Sequence, residues 1–133
     1  MQKAIIVAII GLIGSVLAAL ITAHGTTKAQ IAEERQRMSG GAISAEGQTE
    51  TSIGRAFTVS RDSSNNRTRI TFDPPAFARP PIVLVTPHAV AEKIFIPRII
   101  SIDNRSVVLD TLEWHTGASL PCRFSFTVLE GTE

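Results

Sequence analysis

The hydrophobic and polar positions of this chain follow two periods. From Ala4 to Ala23 the run AIIVAIIGLIGSVLAALITA carries no charge and lies between Lys3 and His24. About 20 residues of α-helix span roughly 30 Å, the thickness of a bilayer's hydrocarbon core. A lone apolar segment in lipid has to satisfy its own backbone, so a transmembrane helix is expected despite the β-branched residues. A cleavable signal peptide is the rival reading. Its apolar region would be about 7–15 residues, and a cut after Ala23 would set Ile21 where a small residue is needed. Residues 26–38, TTKAQIAEERQRM, are helix formers with a favourably ordered Glu33–Arg37 pair, and they extend the helix. Ser39-Gly40-Gly41 then reads as a hinge, and residues 46–54 as a polar, irregular stretch.

Beyond this the period becomes two. Arg55 to Ser60 alternates, Asp62 to Asn66 is a dense turn cluster, and Arg67 to Phe72 sets Thr68, Ile70 and Phe72 on one face. Ile82 to Thr86 is continuously apolar, which predicts a central strand. Phe95 to Ile102 and Arg105 to Leu112 flank Asp103-Asn104, and Cys122 to Leu129 puts Cys122, Phe124, Phe126 and Val128 on one face. Six or seven short strands without a helical stretch predict an all-β, small antiparallel sandwich. The expected organisation is an anchor over 1–25, a juxtamembrane helix and linker over 26–54, and the sandwich over 55–133.

Composition removes several functions. The net charge is +1, Tyr is absent, and the Lys and Arg residues are scattered, so nucleic acid is not an expected partner. The single cysteine, Cys122, allows neither an intrachain disulfide nor a Cys-based metal site, and it reads as a small buried apolar residue. His24, His88 and His115 are too dispersed for a metal site, and no nucleophile–base pair or phosphate loop is visible. No enzyme activity, metal or cofactor is expected. Arg79, Arg98, Arg105 and Arg123 have Asp73, Asp103, Asp110 and Glu130 as ion-pair partners to choose among.

Two sets of residues carry the candidate contacts. Gly11, Ser15, Ala19 and Ala23 recur every four residues along the apolar segment, a small-residue stripe on which helices pack in lipid. Glu113, Trp114 and His115 form the candidate ligand or protein contact; Trp114 either stacks on a partner or caps the core. The expected surroundings are therefore the bilayer and other membrane subunits or copies of the chain. Lys28, Arg35 and Arg37 outweigh Lys3, which leans the C-terminal domain towards the cytoplasm.

Four segments carry a family resemblance: Phe-Thr-Val-Ser at 57–60, Arg-Ile-Thr-Phe at 69–72, Pro-Ala-Phe-Ala-Arg-Pro-Pro-Ile-Val-Leu-Val-Thr at 75–86, and Arg-Phe-Ser-Phe-Thr-Val-Leu-Glu-Gly at 123–131. Together they make residues 55–131 resemble the small β-sandwich of phage tail-fibre ends and H-type lectins, with Phe72, Phe77 and Pro81 at the structural positions. The resemblance implies a six-stranded sandwich, assembly as trimers and, for the lectins, carbohydrate as ligand. The sugar-contacting residues of those lectins have no counterparts here.

The function expected is a single-pass membrane-anchored structural or interaction subunit of a larger complex. The alternative is a membrane-tethered, lectin-like carbohydrate-binding or adhesion module. Replacing Gly11 or Ser15 by Leu should reduce the partners co-purified in mild detergent; unchanged recovery would remove the stripe from the account.

Overall fold

The computed structural model describes residues 28–33 and 35–131. The chain divides into two compact units, Met1–Glu34 and Arg35–Glu133. In the first, residues 28–33 are helical. Among the described residues no helix is long and apolar enough to cross a membrane. The expected transmembrane segment 4–23, with Gly11, Ser15, Ala19 and Ala23, lies outside them.

The second unit is antiparallel β. Its strands are β1 (Met38–Ile43), β2 (Thr49–Gly54), β3 (Phe57–Asp62), β4 (Arg67–Phe72), β5 (Ile82–Pro87), β6 (Phe95–Ile102), β7 (Ser106–Glu113) and β8 (Phe124–Leu129). They form two four-stranded sheets, ordered β2-β1-β8-β5 (sheet A) and β3-β4-β7-β6 (sheet B). Alternation decides which side chains enter the core. Ile70 and Phe72 of β4, Val107 and Leu109 of β7, Ile43 of β1, and Phe124, Phe126 and Val128 of β8 are buried together. Phe57 meets Phe126 edge-on, with centroids 4.9 Å apart, joining the two sheets.

Two expectations change. Residues 39–41 are not a hinge but lie in β1, and of the expected irregular stretch 46–54 residues 49–54 form β2, paired from Ser39↔Gly54 to Ile43↔Thr49. The glycines are there because the space is taken. A Cβ on Gly41 would collide with the Thr51 carbonyl and press on the Phe57 ring, and one on Gly40 would meet the Phe126 carbonyl at 2.9 Å. In addition, β5 is an edge strand, paired only with β8 among the strands of sheet A. Its inward residues Val83 and Val85 pack on the core, while Ile82 and Leu84 point outward and stay exposed. The unbroken apolar run thus marks one buried face and one bare face.

The registers define two poles. Met38, Gly54, Phe57, Phe72, Ile82 and Leu129 share the proximal pole, where the chain enters from residue 37. The segments 44–48, 63–66, 88–94 and 114–123 make the opposite, distal pole. Phe77 closes the proximal pole: it is 1 % exposed, packs edge-on against Phe72, and carries the Arg55 guanidinium 4.0 Å above its ring. Its N–H donates to the Asn104 carbonyl. In the neighbouring β6–β7 turn the Asp103 carboxylate accepts the N–H groups of Arg105 and Ser106, both at 2.7 Å. Those two bonds hold its pKa below the usual carboxylate range. β6 itself carries Pro97 and a register shift between Ile99 and Ser101.

Gly41→Val should cost at least about 1–3 kcal/mol in denaturant unfolding, because backbone and not a flexible side chain would have to move. Gly131→Ala, where nothing lies within 4 Å of the added Cβ, serves as the neutral comparison.

Candidate interaction surface

The three residues singled out near the end of β7 separate in role. Glu113 is buried and belongs to its own turn: its carboxylate accepts the Thr116 hydroxyl, its carbonyl accepts the Gly117 N–H, and its N–H donates to Ala118. It fixes the loop and offers nothing outward. Trp114 is 61 % exposed, so its ring does not cap the core. The backbone N–H of Trp114 donates to the Ile94 carbonyl, which ties the 114–118 turn to the segment carrying exposed Val90 and Ile94. His115 is exposed beside it. Trp114, Ile94 and Val90 therefore lie on neighbouring loops of the distal pole.

The two outer faces of the sandwich differ in chemistry. On sheet B the outward positions include Thr58, Ser60, Arg67, Arg69 and Thr71. Arg98 grips buried Asp110 with two bonds, Nε at 3.0 Å and a terminal nitrogen at 2.6 Å. That hydrogen-bonded charge raises the guanidinium's pKa. A shallow depression of about 240 Å³ on this face is lined by Ser60, Asp62, Asn65, Arg67 and Arg69 over Val108.

Sheet A is the opposite. Register carries one outward row straight across it: Ile53, Gly40, Thr127, Leu84. The next rows bring Met38, Leu129 and Ile82 on one side, and Ala42, Ser125 and Thr86 on the other. None of these side chains is charged. Ile53 is 54 % exposed, Ile82 58 % and Leu84 59 %. Four outward isoleucine and leucine side chains, counting Leu129, thus stand in water on one sheet face. On sheet B the edge strand β6 carries Ile96, Ile99, Ile100 and Ile102, all partly exposed.

At the distal margin of sheet A charge returns. There Ser125 Oγ lies 2.8 Å from His88 Nε2, His88 Nδ1 lies 3.2 Å from an Arg123 terminal nitrogen, and Arg123 Nε donates to Glu50 at 2.5 Å. A Ser beside a His invites a nucleophilic reading, and the third member reverses it. A guanidinium can only donate, so His88 Nδ1 must accept and be bare, and Nε2 carries the proton and donates to Ser125. A base acting on serine needs the other tautomer, with a carboxylate on Nδ1. The chain Glu50–Arg123–His88–Ser125 instead pins the end of the face. Sequence reasoning missed it because only the β5–β8 register, Pro87↔Phe124, brings His88 beside Ser125. Cys122 lies just beneath, buried, with its thiol donating to the His88 carbonyl. Burial pushes its pKa up.

Among the described residues no three of His, Cys, Asp and Glu come together as metal ligands. Comparison with protein-family models, with curated proteins and with solved structures finds no match to this chain. The site therefore rests on its own geometry, and its main feature is the uncharged, partly apolar outer face of sheet A.

Because the Cys122 thiol is buried and held protonated, iodoacetamide at mildly alkaline pH should alkylate it at least about 100-fold more slowly than in the unfolded chain. Mass spectrometry with and without denaturant reads the ratio. Equal rates would mean that β8 opens at its start.

Proposed function

We propose that the chain is a single-pass membrane-anchored interaction subunit. Residues 4–23 hold it in the bilayer, and the sandwich binds neighbouring protein and so stabilises a larger membrane assembly. The observation that carries the reading is the outer face of sheet A. Exposed aliphatic residues scattered singly need no explanation, but Ile53, Ile82, Leu84 and Leu129 share one uncharged sheet face. Water has no favourable exchange for such a surface, and a protein partner does. The outer face of sheet B carries charged and hydroxyl side chains, among them Arg67, Arg69 and the paired Arg98–Asp110, beside its exposed isoleucines.

A second reading has its own observation. Trp114 stands exposed at the distal pole, opposite the point where the chain enters the sandwich. That is where a membrane-tethered carbohydrate-binding or adhesion module would meet a ligand, and an exposed indole can stack on a sugar ring. Sheet A is favoured over it because that face is broader and joins more apolar side chains.

Extraction from the native membrane in mild detergent, followed by mass measurement of the particle, tests the proposal. The expected outcome is a multi-chain particle that loses chains when Leu84 is replaced by Lys and keeps them when Trp114 is replaced by Ala. A single-chain particle would overturn it. Retention on immobilised glycans that depends on Trp114 would transfer the assignment to the second reading.

A further inference from the structure

We infer that the occupant of the sheet A face is a second copy of this chain, packed face to face about a two-fold axis running along the strands. The inference rests on the interaction-subunit reading and names its partner.

Each of the four strands of sheet A is six residues long, giving a face of roughly 20 Å by 20 Å, about 400 Å² in projection. That is the scale of a small interface, below the about 800 Å² that each partner contributes to a standard one, and the anchors add to it by holding two copies in one bilayer. Two sheets related in this way pack about 10 Å apart, as the two layers of a sandwich do.

The chemistry matches itself. An axis parallel to the strands, midway between the two sheets and over the line between β1 and β8, lays β5 of one copy over β2 of the other, and β8 over β1. Heights along the strands are preserved. Leu84 of one copy then meets Ile53 of the other, apolar on apolar, since both belong to the same row. Thr127 faces Gly40, small on small, which lets the sheets approach at their centre. At the distal margin, His88 and Arg123 of one copy come to the side of Glu50 of the other. Glu50 and Arg123 are paired within each copy, so the rims meet as balanced charge, anion beside cation, and not like against like. A two-fold also closes the assembly, whereas a non-closing contact between different patches would propagate into filaments.

The tether agrees with the axis. With the two-fold along the strands, residue 37 of both copies leaves at the same pole, as two anchors in one bilayer require. An axis across the strands would send them to opposite ends. The edges do not offer a competing mode of pairing through β6: Pro97 lacks an N–H, and the register shift after Ile99 breaks the ladder.

The experiment uses the full-length chain in its membrane, with Ile53→Cys and Leu84→Cys made together and singly. Within one chain the two positions are three strand spacings apart, about 14 Å. Across a sheet spacing of about 10 Å the facing positions lie beyond the roughly 7 Å between Cα atoms that a disulfide can bridge, so a short bismaleimide is used to join them. It should give at least ten-fold more covalent dimer from the double variant than from either single one. In detergent, Leu84→Lys should halve the number of copies per particle, with Cys122 still protected from alkylation as the sign that the sandwich is folded. No excess of cross-linked dimer in the double variant overturns the inference. A particle holding one copy together with other proteins overturns it and leaves the interaction-subunit reading standing. A single chain with no companion overturns both.

Discussion

The structure turns on the missing side chain at Gly41. β1 lies between β2 and β8, and across it Phe57 reaches from sheet B to stack edge-on with Phe126. The Phe57 ring and the Thr51 carbonyl occupy the volume that any Cβ at position 41 would need. The close approach of backbone and ring there seals one side of the core. It also lets Ile53 lean over Gly40, so that the outer surface of the same strand stays low between its neighbours. Core and outer face are thus set by one pair of adjacent glycines.

The same glycines mark where the sequence becomes hard to read. Strands whose inward side chains differ sharply from their outward ones are visible in the pattern. β4 and β8 alternate, and Thr68, Ile70 and Phe72, like Phe124, Phe126 and Val128, are buried as the period requires. The β6–β7 hairpin is legible from Asp103-Asn104, because a carboxylate that accepts two successive N–H groups is a turn-forming device. β1 shows no alternation, since its inward positions are Ser39, Gly41 and Ile43, and the edge strand β2 is exposed throughout. A glycine pair looks like a hinge to local chemistry and like a close contact only once its neighbours are known. β5 misleads in the other direction: its continuous apolar run suggests burial on both faces, and the exposure of Ile82 and Leu84 depends on which strand lies next to it.

Site residues follow the same rule. Trp114 could be chosen from the sequence because a lone indole among polar residues is conspicuous, but whether it faces water is decided by the turn that Glu113 closes. The pairing of Arg98 with Asp110 was among the options that charge alone allows. The Glu50–Arg123–His88–Ser125 chain was not, because it joins residues from β2, β8 and the segment after β5 through register. What marks sheet A as the candidate surface is the absence of charge along a row of four strands. Such an absence belongs to no single segment and is seen only when the registers are assembled.

The isoleucine-rich edge of β6 would, if straight and fully able to bond, be a template on which sheets of many chains could grow without limit. Pro97 withholds a donor and the shift after Ile99 turns the strand out of line. Its greasy side chains can therefore be wetted or covered, but its backbone cannot recruit. That interruption separates an edge that can be covered from one that could grow into an amyloid-like ribbon.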